Sequence, residues 1–276
     1  MQKNILITGA TSGIGKAAAL ELAKQGHKIL FNSRNPMKGE KVRDELISAS
    51  GNAQISMLPA DLASFQQIKA FAEGVQKKMP VIDVLINNAG IFASKQRLTE
   101  NEFEEMLAVN HLAPFLLTGL LLDNLKQSDA ARIINVASTV HKSGDIQFDD
   151  MNAEKEFKAL KRYGDSKLMN ILFTRHLAKK LSDTPIAVNS LHPGMVGTNV
   201  AREFPAWLRA IFSWFSISPE KGAQTTIYLA TQAEGGEISG EYFEKSKISK
   251  TSASAKDPEL AARLWEWSEE ATGISY

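Results

Sequence analysis

The sequence predicts an α/β protein whose parallel sheet is covered by helices on both faces. Short apolar runs typical of strands alternate with longer helical patterns along most of the chain. The first of these runs ends in a glycine-rich turn that opens a helix. With 276 residues, 43% of them hydrophobic, the chain can bury one sizeable core. We therefore predict a single domain over 1–276, built on a doubly wound sheet of about seven strands.

The glycine-rich turn follows the first predicted strand, residues 4–8, and precedes a helix that ends near Gly26. Without side chains, the turn would let a pyrophosphate approach backbone N–H groups and the positive end of the helix. The spacing is Gly-x-x-x-Gly-x-Gly, a variant of the common dinucleotide fingerprint. This pattern predicts a Rossmann-type, dinucleotide-binding fold. The predicted cofactor-binding residues of the turn are Gly9, Thr11, Ser12, Gly13, Ile14 and Gly15.

The end of the second predicted strand, residues 27–32, indicates which dinucleotide binds. Sites selective for NAD usually carry an acidic residue here, whereas an arginine accommodates the 2′-phosphate of NADP. This chain has Ser33 and Arg34, and no carboxylate follows until Glu40. We predict a preference for NADP(H), with Ser33 and Arg34 in the site and Lys38 as a candidate second phosphate contact. The alternative is that Arg34 is a solvated surface residue.

Tyr163 and Lys167 are four residues apart, and this spacing places their side chains side by side on a helix. A neighbouring ammonium group favours the ionised phenol and so lowers its pKa. Bringing a tyrosine pKa from ~10 to ~7 requires about 4 kcal/mol. The lysine would therefore need help from a positively charged cofactor ring. Such a pair can transfer a proton to or from an alcohol oxygen.

The order of the motifs resembles that of the short-chain dehydrogenase/reductase family, from Thr8 to about Ala230. Besides the glycine-rich turn and the Tyr163 and Lys167 pair, several shorter motifs occur in the family's order. They are Asp61 after a third strand, Asn87-Asn88-Ala89-Gly90 after a fourth strand at 81–86, Asn110 within a helix, Ser138 after the strand at 132–136, and His192-Pro193-Gly194 after a sixth strand.

The resemblance implies a catalytic tetrad of Asn110, Ser138, Tyr163 and Lys167. In the family, the serine orients the substrate oxygen and the tyrosine moves the proton. The lysine binds ribose and lowers the tyrosine pKa, while the asparagine helps to hold a water. The resemblance also implies that Asp61 holds the adenine. The other cofactor-binding residues implied in this way are Leu62, Asn88, Ala89, Gly90, Tyr163, Lys167, Pro193, Gly194, Val196 and Thr198.

The long segment between Ser138 and Tyr163 resembles the retinol dehydrogenase and WW-domain-containing oxidoreductase branch of the family. Since both its ends are predicted to be catalytic, residues 141–162 are expected near the mouth of the active site. We predict an NADP(H)-dependent enzyme that interconverts a small lipophilic alcohol and its aldehyde or ketone. The alternatives are an oxidation-directed steroid or polyol dehydrogenase, and a dinucleotide-sensing or scaffold protein without turnover.

An aromatic segment at 204–215 follows the predicted sixth strand. It is interpreted as part of a substrate lid near 198–218, because the resemblance places a pocket cover there. The alternative is an amphipathic helix in a membrane interface. The resemblance leaves homodimer and monomer open, and Trp265 and Trp267 are expected to pack either on the core or on a second subunit.

Charge and composition exclude several other classes. The net charge of +1 gives no footprint for nucleic acid. Cysteine is absent, so disulfides and thiolate metal sites are excluded, and the scattered histidines predict no metal site. The first strand begins within a few residues of Met1, and no apolar run reaches the ~18 residues of a membrane span. We expect a cytoplasmic protein, with 204–215 as the candidate for peripheral membrane contact.

Overall fold

The structure, a computed structural model, describes residues 1–194 and 217–276 and contains a single eight-stranded sheet. The strand order is 3-2-1-4-5-6-7-8, and every pairing is parallel except that of the last two strands. The predicted doubly wound parallel sheet is thus confirmed, with one short antiparallel strand added at its edge. The strands are β1 (Asn4–Ile7), β2 (Lys28–Ser33), β3 (Ile55–Pro59), β4 (Val84–Asn87), β5 (Arg132–Val136), β6 (Ala187–His192), β7 (Tyr242–Glu244) and β8 (Lys247–Ile248).

Helices connect the parallel strands and cover both faces of the sheet. No helix within the described ranges is both long and apolar enough to cross a membrane. The α-helices are α1 (Gly13–Lys24), α2 (Pro36–Ser50), α3 (Phe65–Lys78), α4 (Glu105–Leu107), α5 (Ala113–Leu120), α6 (Leu122–Lys126), α7 (Ala159–Lys180), α8 (Pro219–Thr231), α9 (Glu234–Glu237) and α10 (Pro258–Thr272). A π-helical turn (Ala108–Leu112) joins α4 to α5, and two 3₁₀ turns occupy Thr139–Ser143 and Ser254–Lys256.

Alternation along the strands divides the core into two layers, because successive strand residues face opposite sides of the sheet. Leu6 and Leu85 belong to the layer under α3, α5, α7 and α10. Ile5 and Ile7 belong to the layer under α1, α2 and α8. All four side chains are fully buried. The near-continuous apolar runs of the sequence therefore reflect strands that are covered on both faces.

The first predicted strand ends at Ile7 rather than Thr8, and two other predicted strands also differ from the observed ones in their bounds. The second strand begins at Lys28 rather than His27 and extends to Ser33. The fourth begins at Val84 rather than Val81, because Ile82 donates its backbone N–H to Asn124 O, outside the sheet. Both apolar runs were recognised correctly. Their ends were set by tertiary hydrogen bonds that a hydrophobic pattern does not encode.

The C-terminal helix α10 begins where the sequence predicted, with Asp257 accepting hydrogen bonds from the first turn and Pro258 at the first position. Trp265 is 4% exposed, and its ring centre lies 4.9 Å from that of Phe115 in α5. Tyr276 donates its hydroxyl to Phe115 O at 3.0 Å. Of the two placements expected for Trp265, the structure therefore has the one on the core of its own chain.

The order of the strands creates a cleft beside β1, which pairs with β2 on one side and β4 on the other. Connections run in opposite directions from this strand, and ligands of such sheets bind at the carboxyl ends of the strands at this point. Thr8, Ser33, Asn88 and Ser138 lie at or just beyond the carboxyl ends of four neighbouring strands. Most of the predicted site residues therefore lie together at the carboxyl ends of the central strands.

Candidate active site

The glycine-rich turn is fastened to the end of β4 by hydrogen bonds. Thr8 Oγ1 accepts from the backbone N–H groups of Asn88 and Ala89, both at 3.0 Å. The Asn88 side chain in turn donates to Thr8 O at 2.8 Å. Gly9 has a φ of +71°, a conformation that side-chain-bearing residues rarely adopt. The family resemblance implies that Asn88 supports the strand on the cofactor side, and the structure places Asn88 where it holds the shape of the turn.

The turn opens α1 with close backbone packing. An added Cβ at Gly9 would lie 2.8 Å from Ala89 Cα, and one at Gly15 would lie 2.4 Å from Gly9 O. The first turn of α1 itself carries no acidic residue, and the positive end of a helix favours a bound anion. These features fit a phosphate group at the predicted position.

Replacing Gly15 by alanine is expected to lower the free energy of unfolding by about 1–3 kcal/mol, because the new methyl overpacks the turn. NADPH binding should weaken in parallel. Urea unfolding and fluorescence titration with NADPH measure the two effects. Gly74→Ala in α3 is the control, since its Cβ would meet only the flexible Leu58 side chain, at 3.0 Å. A Gly15→Ala protein as stable as the wild type would contradict the close packing described above.

A second polar residue, Asn32, links three strand ends and was not singled out from the sequence. Its Oδ1 accepts from Gly9 N at 3.1 Å, and its Nδ2 donates to Ala60 O at 3.2 Å. Asn32 is 5% exposed near the end of an otherwise apolar strand. A polar residue in that position was the available signal. Its role is to hold the glycine-rich turn against the segment that leads to Asp61.

The residues predicted to select the dinucleotide lie just beyond this link. Ser33 is buried, and its hydroxyl donates to Asn35 O at 2.7 Å. Arg34 is exposed and forms no ion pair with any residue in the described ranges. Lys38 is exposed in the first turn of α2. Both cations are thus accessible to an anion at this end of the cleft.

Asp61 lies after β3, where the sequence placed it. Its Oδ1 accepts from Ala63 N at 3.0 Å, and its backbone N–H donates to Gln67 Oε1 at 2.9 Å. The following residue, Leu62, is buried in the core. These bonds fix the loop and leave Asp61 half-buried, beside the strand end that Asn32 holds.

Asn110 lies in the π-helical turn and is completely buried. Its Oδ1 accepts from Ile91 N at 2.8 Å, while its Nδ2 donates to Ile91 O and to Ser166 Oγ, both at 3.0 Å. The side chain therefore ties the segment after β4 to helix α7. These partners were not predictable from the sequence, which indicated only a polar residue inside a helix.

Lys167 is buried behind the cleft, with its Nζ donating to Val136 O at 3.0 Å. An added Cβ at Gly90 would lie 3.3 Å from this Nζ and 3.4 Å from Asn110 Oδ1. Gly90 thus lies against the lysine and the asparagine at the same time. Burial lowers the pKa of Lys167 to about 8, because it removes the ammonium group from water.

Tyr163 lies one turn before this lysine, whose Nζ is 5.5 Å from the centre of the phenol ring. Burial raises the pKa of Tyr163 to about 12, opposite to the lowering predicted for the pair. Lys167 Nζ is directed to Val136 O, and desolvation of the phenol outweighs its effect. The lysine alone therefore does not activate the tyrosine. A cationic cofactor ring is the second contribution that the predicted lowering of the Tyr163 pKa requires.

Ser138 caps the 3₁₀ turn that follows β5. Its Oγ accepts from Val140 N at 3.4 Å, and its carbonyl accepts from His141 Nδ1 at 2.6 Å. The turn containing Ser138 packs on α7, the helix that carries Tyr163 and Lys167. Burial lowers the pKa of His141, so the imidazole is held in its neutral form.

An apolar wall adjoins Tyr163. The Phe92 ring lies edge-on to the phenol, with ring centres 5.8 Å apart. The segment between Ser138 and Tyr163 contributes Phe157 to the same cluster, as expected of a segment near the site. The members of this apolar wall are Ile91, Phe92, Ala93, Met106, Phe157, Ala159 and Tyr163.

The segment after β6 is described only as far as Gly194. Pro193 is half-buried, and Gly194 has a φ of +91°. A Cβ at Gly194 would lie 2.6 Å from the Ile217 side chain, so Gly194 and Ile217 are in close contact. The predicted residues Val196 and Thr198, the aromatic segment 204–215 and most of the predicted lid at 198–218 lie outside the described residues.

The chain belongs to the short chain dehydrogenase family, which it matches over residues 3–209. It is an oxidoreductase of this family, which uses nicotinamide dinucleotide cofactors, and it is related to the retinol dehydrogenases. It is 42% identical to Retinol dehydrogenase 14 of Homo sapiens over 291 residues, covering 99% of this chain and 87% of that protein. The resemblance found in the sequence is thereby confirmed.

Solved structures agree on the fold. An uncharacterised protein from Mycobacterium Paratuberculosis superimposes with a TM-score of 0.82 at 31% identity, over 100% of this chain and 95% of that one. The 3-ketoacyl-(acyl-carrier-protein) reductase from Brucella melitensis, complexed with NADH, superimposes with a TM-score of 0.70 at 26% identity. The match covers 87% of this chain and 95% of that one.

Proposed function

We propose that this oxidoreductase uses NADP(H) to interconvert a lipophilic alcohol and its aldehyde or ketone. The observation that carries the proposal is the apolar wall directly beside Tyr163, in which Ile91, Phe157 and Ala159 stay partly accessible over a buried base of Phe92, Ala93 and Met106. A lipophilic substrate gains about 25 cal/mol for each Å² that it buries against such a wall. Retinol dehydrogenase 14 acts, by its name, on a lipophilic alcohol. We extend that substrate class to this chain.

The proposed roles of the residues follow from their protonation states. A bound nicotinamide would supply or accept the hydride. With a pKa of about 12, the phenol of Tyr163 is protonated at pH 7 and can donate to a carbonyl oxygen as negative charge develops there. With a pKa of about 8, Lys167 is mostly an ammonium group at the same pH and favours the phenolate that remains. The protonated phenol is the form that reduction requires, and NADPH as the cofactor favours reduction.

The other two predicted catalytic residues are proposed to arrange the site. Ser138, at the end of β5, would donate its hydroxyl to the substrate oxygen. Asn110 has its amide fully engaged with Ile91 and Ser166. We therefore propose that its side chain fixes the segment after β4 relative to α7, leaving any contact with a water to other groups of the turn.

Preference for NADP(H) is proposed from Arg34, an accessible guanidinium group at the end of β2. Replacing Arg34 by glutamate is expected to lower the ratio of kcat/KM for NADPH to that for NADH by at least about tenfold. Loss of one charge-assisted hydrogen bond costs about 1.5–3 kcal/mol, and the new carboxylate repels the phosphate. Steady-state kinetics with both cofactors measure the ratio. Arg43→Ala is the control, since Arg43 is paired with Glu40 and Asp44. A wild type that prefers NADH would contradict the assignment.

The decisive test of function is a panel of carbonyl compounds with NADPH. The panel includes retinal, steroids, medium-chain aldehydes and quinones. We expect turnover to rise with the apolar area of the substrate and to fall when Phe157 is replaced by serine, since Phe157 is a partly accessible member of the apolar wall. Tight NADPH binding without oxidation by any carbonyl would instead favour a sensing or scaffold role.

A further inference from the structure

Three charged side chains are buried together at the start of α7, next to Tyr163 in the chain. None of them has a role in the proposed chemistry or belongs to the predicted site. Arg162, Glu104 and Asp165 have side chains 5%, 0% and 1% exposed. Arg162 Nη1 lies 3.3 Å from Asp165 Oδ2, and its Nη2 lies 3.8 Å from Glu104 Oε2. Desolvation makes such groups costly, and their mutual attraction only partly compensates. A gain in stability therefore does not account for the cluster.

The cluster joins three segments that converge on the site. Glu104 accepts hydrogen bonds from Met106 N and Leu107 N at 2.9 and 3.0 Å, at the start of the helix that leads to Asn110. Asp165 Oδ1 accepts from Asp145 N at 2.8 Å, and Arg162 Nη2 donates to Met151 O. Lys161 Nζ also donates to Asp145 O at 2.8 Å. Three side chains of α7 thus hold the insert between Ser138 and Tyr163.

Arg162 directly precedes Tyr163 near the start of α7, so the contacts of Arg162 affect where Tyr163 lies. The same guanidinium group reaches the segment before Asn110 and the insert that carries Phe157. A displacement of this turn would move the phenol relative to both the Asn110 helix and the apolar wall. A misplacement of about 1 Å in a reacting group can cost about 10²-fold in rate.

We infer that Arg162, anchored by Glu104 and Asp165, is a positioning residue that sets the place of Tyr163 against the Asn110 helix and the insert. It acts through backbone and helix geometry and touches neither substrate nor cofactor. The inference rests on the proposed function, since it assigns Tyr163 as the proton donor whose place is set.

The test separates positioning from stability with a pair of variants. In Arg162→Met, two buried carboxylates lose the guanidinium group, and Asp165 keeps only the partly exposed ammonium group of Lys161 at 3.4 Å. Both kcat and the free energy of unfolding should therefore fall, with kcat lower by about 10²-fold. In Arg162→Met combined with Glu104→Gln, one unpaired buried charge is removed and the free energy of unfolding should recover in part. The hydrogen bond to Met151 O is still absent, so kcat should stay low. Arg162→Lys, which keeps the charge, should recover part of kcat.

The measurements are kcat and KM with NADPH and the fastest substrate of the carbonyl panel, NADPH affinity by titration, and urea unfolding. Lys179→Met is the control, since Lys179 is an exposed lysine on the same helix, beyond the turn that contacts the insert. It should keep nearly wild-type kcat. NADPH affinity should be nearly unchanged in all variants. Recovery of kcat together with stability in the double variant, or wild-type kcat in Arg162→Met, would overturn the inference.

Hydrogen exchange distinguishes a failure of this inference from a failure of the proposed function. If the wild type reduces no carbonyl compound, the proposed function is wrong, but the positioning role of Arg162 is not yet decided. Amide exchange over residues 144–165 in the NADPH-bound protein then decides the positioning claim. Faster exchange there in the double variant, at restored stability, supports the claim, and unchanged exchange overturns it.

Discussion

Replacing Tyr163 by phenylalanine is expected to lower kcat/KM for carbonyl reduction by about 10³-fold or more, because it removes the group that we propose as the proton donor. General acids typically contribute ~10² to 10⁴ in rate. Phenylalanine keeps the ring that packs against Phe92 at 5.8 Å, so the apolar wall should survive. NADPH affinity is expected to remain close to that of the wild type. Stopped-flow or steady-state oxidation of NADPH, combined with NADPH titration, gives both quantities.

The matched control is Tyr228→Phe, which removes the hydroxyl of a half-buried tyrosine in α8, packed against Phe243. It should leave kcat/KM unchanged. Retention of most of the activity in Tyr163→Phe would show that another group protonates the product. A loss of NADPH binding equal to the loss of rate would instead assign Tyr163 to cofactor binding.

Replacing Lys167 by methionine is expected to remove activity while making the ligand-free protein more stable at pH 7. Lys167 is 3% exposed, and its pKa is lowered from 10.5 to about 8 by burial. This difference corresponds to about 3 kcal/mol that the folded protein loses by keeping the ammonium group charged at neutral pH. Lost packing and the lost bond to Val136 O offset part of the gain, so we expect a net increase of about 1–2 kcal/mol.

The pH dependence gives this prediction a defined sign. Between about pH 8 and 10.5 the unfolded chain binds the lysine proton and the folded protein does not, so wild-type stability should rise with pH in this window. Methionine cannot titrate, so the difference between variant and wild type should shrink toward pH 10.5. Urea unfolding at pH 7 and pH 10.5 measures it, with the exposed Lys179→Met on the same helix as control. A Lys167→Met protein that is less stable at pH 7 would contradict the burial cost.

Activity should fall by about 10³-fold in the same variant, since Lys167 supplies the charge that favours the phenolate. A gain in stability together with a loss of activity in Lys167→Met would mean that the buried lysine lowers stability and is kept for function. Proteins commonly keep such costs at sites where chemistry needs a destabilised group.

Several parts of the site could be predicted because they are encoded locally. The apolar run of β1, the three glycines and the helix after them occupy consecutive residues, and each has a conformational reason visible in the sequence. The i, i+4 spacing of Tyr163 and Lys167 required only that their segment be helical, and α7 meets that condition. The parallel sheet followed from the alternation of such elements.

Other parts could not be predicted because they depend on burial and long-range contacts. Burial raises the pKa of Tyr163, and no sequence pattern measures desolvation. Asn32 was overlooked because its partners, Gly9 and Ala60, come from two other strand ends. Glu104 and Arg162 are 58 residues apart along the chain and meet only because α7 packs against the segment that carries Glu104.

The sequence by itself determined the layered α/β sheet, the dinucleotide turn and the order of the motifs, because hydrophobic period, glycine conformation and helical spacing act within a few residues. Only the tertiary structure decided what each polar side chain meets: Val136 O for Lys167, Ile91 for Asn110, and the buried carboxylates for Arg162. Protonation and orientation depend on the distance to groups remote in sequence and on the exclusion of water. Both are fixed only when the chain has folded.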